Sequence, residues 1–478
     1  MQIPLLDFSS EERNELMHTL IQRLESYYAH TKSLAVAPVL DRETIIQAAR
    51  KFDFNHPVNP REALLDIIGS LEKFTVHTSH PAYFGLFNPR SNFAGIMADL
   101  ISAAFNIQLA AWSHAPFAAE AENYLIQVFG EKFGYAPGSI DGVFATGGAE
   151  ANQTAVLCAL NHHFPEFASA GLRGMARQPM IYCSAEAHHS IVKAARTSGL
   201  GSGAVRSIPV AGDLRMDLQI LENAIIEDIR NGKIPFMVTG TAGTTGPGAI
   251  DDLPAISAIC KKYNLWFHVD AAYGGAVVVH PVFKKWLKGI EESQSVTFDI
   301  HKWLSVPMAC SMFITSQKDI LSQTFSISTG YMPRDANRLP VTDPFTHSIQ
   351  WSRRFIGFKL YLSMVMFGWE GYAQTIEHQI HMGNYLRQQL LDSGWVIKNH
   401  SMLPIVCFAD MAREEEEGFV SRVCEFVVKS GKAWISVFPV KGRSCLRACI
   451  TNYGTTETEI RELIQLLHEA RAEVGKGY

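Results

Sequence analysis

The sequence predicts an α/β protein with a large, mostly parallel sheet, an N-terminal helical segment and a small C-terminal α+β unit. Three observations carry this reading. First, short β-rich runs recur at GVFAT (142–146), MIYCS (180–184), AVRSIPV (204–210), PFMVTGTA (235–242), LWFHVDAAY (265–273), SVTFDI (295–300) and CSMFIT (310–315). Second, helical stretches separate most of them, following Gly148, His188, Asp217 and Asp252. Strand–helix alternation with apolar strands implies parallel pairing under helices on both faces. Third, 47% hydrophobic and 19% charged residues over 478 positions supply a core of that size and exclude a disordered chain.

The elements follow in order. Ser9 and Glu12 have capping-box spacing, with Leu16, Leu20 and Leu24 at helical intervals behind them, and a second helix is predicted from Pro60 to Phe74. Then come the aromatic stretch HPAYFGLFNP and helices over LISAAFNI and FAAEAENYLIQVFGEKF, broken at WSHAP. After the seven strands and Trp369 the texture changes to a long helix (373–392) and strand-like runs around WVIKN, PIVCFAD, WISVFP and LRACIT. The predicted division is therefore a helical segment 1–75, a large α/β domain 76–370 and a small α+β domain 371–478. The EEEE run at 414–417 reads as a solvated helix or turn, and His162–His163 as a helix-surface pair without a third metal ligand.

Charge narrows the partners. Lys+Arg of 42 against Asp+Glu of 47 gives −5 with no long basic block, so nucleic acid has no electrostatic footing and a small-molecule partner is expected. Eight scattered cysteines without a Cys-x-x-Cys pair read as reduced thiols and a cytoplasmic location. The start lacks a basic region followed by an apolar stretch, and no window reaches about 18 consecutive apolar residues, so a soluble protein without signal or span is expected.

Three chemical signals sit at predicted strand ends, where parallel sheets bind ligands. In ATGGAEANQTA (145–155) a strand runs through glycines into a helix, leaving free N–H groups and a positive dipole end; Gly147, Gly148 and Ala149 form a candidate anion cradle. It has neither a dinucleotide fingerprint nor a Walker lysine. In WFHVDAAYGG (266–275) the strand ends in Asp270, which either caps the turn or meets a cation or donor. SVTFDIHKWLS (295–305) places Asp299, His301 and Lys302 just after another strand. An amine that condenses with an aldehyde, a carboxylate for a protonated ring nitrogen and a glycine turn for a phosphate are the fixtures pyridoxal phosphate needs.

With these motifs the chain resembles the pyridoxal-phosphate-dependent decarboxylases that include the aromatic-amino-acid, histidine and glutamate enzymes. The resemblance runs from HPAYF through HVDAAYGG and HKW to WSRRF. It implies an aspartate-aminotransferase-like fold (fold type I), conversion of an L-amino acid to its amine and CO₂, and a homodimer with composite sites. Residue by residue it implies that Lys302 carries the cofactor and Asp270 meets the ring nitrogen. His188, in YCSAEAHHSIVKAA, stacks on the ring opposite Ala272, while Thr245 and His301 contact the cofactor. Asp251 matches an acidic residue of the GTAGTTGPGAID motif. Tyr331, in STGYMPR, matches a catalytic tyrosine contributed across the dimer interface, and either it or His188 returns a proton to Cα. Ser352, in QWSRRF, reaches the phosphate from the neighbouring subunit, with Arg353 and Arg354 organising the interface.

By the same pattern Leu86, Phe87, Gln108, Ala110, Trp112 and His114 line the substrate pocket. Gln108 and Ala110 stand where aromatic-specific members carry bulky apolar residues, leaving room for a large ring or a polar group. An aromatic substrate is favoured, with an acidic one, met by Arg90, as the alternative. One departure is Asp299-Ile300-His301-Lys302 where many members have Asn-Pro-His-Lys. An aspartate would repel a phosphate, so Asp299 is expected to bond neighbouring backbone or His301. A lyase or aminotransferase of this fold would use the same Lys302 and Asp270; a non-catalytic scaffold would not need Lys302.

Overall fold

Each predicted strand of the large sheet forms in the computed structural model, which describes residues 6–327, 339–414 and 416–475. They are β1 (Asp141–Ala145), β2 (Pro179–Ser184), β3 (Val205–Ile208), β4 (Ile234–Thr241), β5 (Trp266–Asp270), β6 (Ser295–Asp299) and β7 (Ser311–Thr315), in the spatial order β1-β7-β6-β5-β4-β2-β3. From β6 to β3 every pairing is parallel, whereas β7 is antiparallel to both its neighbours. Only residues 300–310, including the short helix Ile300–Trp303, join β6 to β7. That is too short for a crossover, so the chain returns in the opposite direction.

Alternation along each strand sends side chains to two cores. Phe267 and Val269 of β5 join one with the helices Pro116–Phe133, Leu218–Arg230 and Leu253–Tyr263. Trp266 joins the other with Gly148–His163 and Ser190–Thr197. His268 and Asp270 share the face of Trp266 by the same period. His163, half-buried on the second of these layers, lies against Phe236 (6.3 Å between centroids), so only His162 of the pair is exposed. Among the described residues no group of three or more His, Cys, Asp or Glu side chains could hold a metal.

The C-terminal runs form a second, antiparallel sheet, β8 (Trp395–Ile397), β9 (Ile405–Asp410), β10 (Ser436–Val440) and β11 (Arg443–Cys449), ordered β10-β11-β9-β8. The helix expected at 373–392 spans Phe358–Asp392 and breaks at Gly368 (φ 60°, ψ −174°), a conformation open to glycine. In the acidic run, read as a solvated helix or turn, Glu414 pairs with Lys398 and Arg443 and Glu416 with Arg422, while Glu417 is exposed in a turn.

At the N-terminus the capping box forms at Ser9 and Glu12 ahead of the helix Ser10–His30, and a helix covers Pro60–Phe74 as predicted. The HPAYF segment departs from the expected division. Phe84 N–H donates to Trp434 O (2.9 Å) and Trp434 N–H to Ala82 O (3.1 Å), so this segment packs beside the small sheet, with Tyr83 against Trp434. Among the described residues no helix is long and apolar enough to cross a membrane. All eight cysteines are free thiols.

Candidate active site

A cavity of about 260 Å³ opens at the carboxyl ends of β1, β2, β4, β5 and β6. Its floor is the glycine turn after β1. Glu150 and Ala151 N–H both donate to Gly147 O, while the N–H groups of Gly148 and Ala149 have no partner among the described residues. Those two donors, at the start of the helix Gly148–His163, suit an anion. A Cβ on Gly148 would stand 2.8 Å from Asp299 Oδ2, so the close approach of Asp299 is what requires glycine there.

Lys302 enters from the short helix after β6, its Nζ 2.8 Å from Asp299 Oδ2. Asp299 also accepts from the Ser311 hydroxyl (2.5 Å). Burial alone would raise the Asp299 carboxyl, but the charges of Lys302 and His301 and the bonds from Lys302 and Ser311 outweigh it and hold the group below its ordinary value. The expected partner His301 is engaged elsewhere, with Nδ1 2.8 Å from Cys310 O, and it is absent from the cavity wall. The antiparallel return of β7 explains both results, because it brings Cys310 and Ser311 against the end of β6.

Asp270, at the end of β5, accepts from Asn152 Nδ2 (2.9 Å) and from Ala272 N–H (3.1 Å). His188 stands exposed at the mouth and accepts from Ser190 N–H at Nδ1 (3.2 Å), which leaves the proton of the neutral ring on Nε2. Burial of the ring face lowers its pKa; the Asp270 charge opposes this and Lys302 adds to it. Thr245 and Ala272 lie on the wall as predicted, joined by Thr241, whose buried hydroxyl has no partner among the described residues. Asp251 is a structural group, accepting from Met216 and Thr241 N–H (both 2.8 Å), with burial pushing its carboxyl up to about 6.

One aromatic wall completes the cavity. Phe87 stacks on Tyr273 (4.2 Å), which stacks on Trp303 (4.8 Å). Arg447 of β11 lies 4.9 Å from the Phe87 ring and donates to Thr245 O (2.7 Å) and Gly246 O (3.2 Å), tying the small sheet to this wall. Neither Arg447 nor Thr241 was picked out from sequence, since neither falls in a motif with a recognisable spacing.

The remaining predicted residues lie elsewhere. Leu86 is exposed, and Arg90 is held between Tyr28 and Tyr453. Gln108 donates to Ser352 Oγ (3.2 Å) in a surface groove separate from Lys302. Ala110 is buried, Trp112 donates from its indole to Glu120 (2.8 Å), and His114 is exposed. Arg353, expected at an interface, is buried within the chain on Glu122, bonded at 3.1 and 2.6 Å, and Arg354 reaches Asp99. Tyr331 lies outside the described residues.

The residues present fit pyridoxal phosphate: a lysine amine, an acceptor carboxylate, an unfilled anion turn and an unpartnered hydroxyl face one space. Fold and site together define a pyridoxal-phosphate enzyme of fold type I. The family described as the pyridoxal-dependent decarboxylase conserved domain matches residues 49–410. An aromatic-L-amino-acid decarboxylase of Bacillus atrophaeus is 26% identical over 99% of this chain and 98% of its own, and an L-aspartate decarboxylase of Metarhizium robertsii is 29% identical over 77% and 75%. The solved structure of Oryza sativa TDC with PLP and tryptamine superposes with a TM-score of 0.91 at 24% identity, covering 99% of both chains. This chain belongs to the pyridoxal-dependent decarboxylases, and it is a pyridoxal-phosphate-dependent amino-acid decarboxylase.

Proposed function

We propose that the protein decarboxylates an aromatic L-amino acid to its amine at the Lys302 cavity. The observation that carries the substrate class is the stacked Phe87–Tyr273 wall, backed by buried Trp303, together with the engagement of Arg90 between two tyrosines away from it. The relatives support both aromatic and acidic substrates, so the test is a panel: CO₂ release and product mass should be greatest with an aromatic amino acid. Preference for aspartate or glutamate would overturn the substrate class, and a keto-acid product would point to transamination.

Bound pyridoxal phosphate supplies an electron sink for the pair left when the carboxylate departs. The chain does the rest. Gly148 and Ala149 N–H hold the phosphate, Lys302 provides the amine that anchors the cofactor, and Asp270 keeps a proton on the ring nitrogen. His188 and Ala272 would hold the cofactor between them, and the orientation the chain imposes on the substrate carboxylate would select the bond that breaks. Either Tyr331 or His188 would return a proton to Cα.

The working unit in this proposal is a homodimer in the cytoplasm, where free thiols stay reduced. Exposed Phe93, Leu100 and Phe105 on one helix, and Val365, Met366 and Phe367 on another, make an apolar surface that a second copy would cover. The same copy would bring Gln108, Ala110, Trp112, His114 and Ser352 toward the cavity. Mixing inactive Lys302→Ala with inactive Tyr331→Phe subunits should restore activity, since one mixed site is intact. An active monomer that persists on dilution would contradict the composite site.

A further inference from the structure

The helix over the sheet delivers one buried amide to the base of Asp270. On β5, Trp266, His268 and Asp270 alternate onto one face; on β6, Ser295 and Thr297 do the same, with His268 opposite Ser295 and Asp270 opposite Thr297. Asn152 of the helix Gly148–His163 descends onto this polar patch. Its amide donates to Asp270 Oδ2 (2.9 Å) and Ser190 Oγ (2.8 Å). Its oxygen accepts from Thr297 Oγ1 (2.7 Å) and lies 3.0 Å from His268 Nε2. Asn152, His268, Thr297 and Ser295 are all 1% exposed or less, so none of these bonds is shared with solvent.

Asp270 Oδ2 accepts from the Asn152 nitrogen, which turns the amide oxygen toward His268. His268 therefore carries its proton on Nε2, which also sits 3.3 Å from Thr297 Oγ1. Nδ1, 2.9 Å from Ser295 Oγ, is left to accept the hydroxyl proton. Ser295 in turn accepts from Trp266 Nε1 (2.9 Å). Burial holds the His268 pKa down at about 4, so the ring is neutral and single-tautomer. Donation runs one way, from Trp266 through Ser295, His268 and Asn152 to the carboxylate, and aligned bonds of this kind polarise one another.

We propose that Asn152 and His268 are positioning residues for the reaction, a one-way hydrogen-bond chain that fixes the Asp270 carboxylate in the orientation the cofactor's ring nitrogen requires. The inference rests on the role proposed above for Asp270. The ionisable groups facing Asn152 are Asp270 and His268, both from β5; among the described residues His188, Tyr273, Asp299 and Lys302 are the other ionisable groups on the cavity wall.

Asn152→Asp is the discriminating change, because it keeps the volume and the acceptor for His268 and Thr297 but removes the donor to Asp270. At about pH 8 two carboxylates would face each other; a proton shared between them at lower pH restores a donor. Pyridoxal phosphate added to the cofactor-free variant should bind at least about tenfold more weakly than to the parent at about pH 8, the size of a lost hydrogen bond to a charged group, and the gap should close toward about pH 6. Absorbance titration reads the affinity. An affinity ratio to the parent that stays near one at both pH values overturns the inference.

Should that variant fail to fold, the histidine answers separately. His268→Gln keeps a donor toward Asn152, whereas His268→Leu keeps bulk and donates nothing. The leucine variant should lose about tenfold in kcat and in cofactor affinity with KM unchanged, and the glutamine variant should stay within about threefold of the parent. Equal behaviour of the two overturns the chain. Normal turnover in Asp270→Asn would instead remove the role of Asp270 itself, a result distinct from either.

Discussion

Lys302→Ala is expected to lower turnover by more than about 10³-fold, since it removes the amine proposed to anchor the cofactor, the only lysine on the cavity wall among the described residues. Borohydride treatment of the parent should fix a pyridoxyl group on the peptide containing His301-Lys302-Trp303, read by mass spectrometry. Label on another lysine would end the assignment. The substitution also leaves the Asp299 carboxylate without its 2.8 Å ammonium partner. Its pKa should then rise as burial prevails, so that the folded-state pKa exceeds the unfolded one. The sign follows: stability of Lys302→Ala should fall relative to the parent as pH rises through the acidic range into neutrality, where the unpaired buried carboxylate must ionise.

Asp270→Asn is expected to bind the cofactor more weakly, to stay loaded at excess pyridoxal phosphate, and to lose about 10²–10³-fold in kcat. The retained fixtures are the glycine turn and Lys302, which do not touch Asp270 directly. A neutral amide cannot hold the ring nitrogen protonated, and losing an adjacent opposite charge shifts such an equilibrium by about one to three pKa units, with a matching loss of the competent fraction. Cofactor absorbance and steady-state kinetics on one preparation separate the two effects. Near-parental kcat with bound cofactor would mean the electron sink is set elsewhere.

Much of the fold was legible because its signals are local. Each β-rich run became a strand, shortened where the turn chemistry begins: LWFHVDAAY ends its strand at Asp270, so Ala272 and Tyr273 are free to line the cavity. Gly147, Gly148, Ala149, His188, Thr245, Asp270, Ala272, Phe87 and Lys302 meet at one cavity. Strand-end position is what a sequence pattern reveals and also what a parallel sheet uses to gather residues. The small-sheet association of HPAYF was not legible, because its partners Trp434 and Cys449 are far away in the chain and carry no matching pattern.

The sequence by itself determined the order of strands and helices, the capping of the first helix, and the candidate trio of glycine turn, Asp270 and Lys302, each read from a local motif at a strand end. Only the tertiary structure decided which charges neutralise one another. Asp299 takes Lys302 and Ser311 because a short connection turns β7 back against β6. Arg353 folds onto Glu122 inside the chain, and Gln108 with Ser352 sits outside the cavity. Asn152 meets Asp270 and His268 across more than a hundred residues. Hydrogen bonds and ion pairs act over a few ångströms of space, whatever the separation along the chain, so their partners emerge only when helix and sheet have packed.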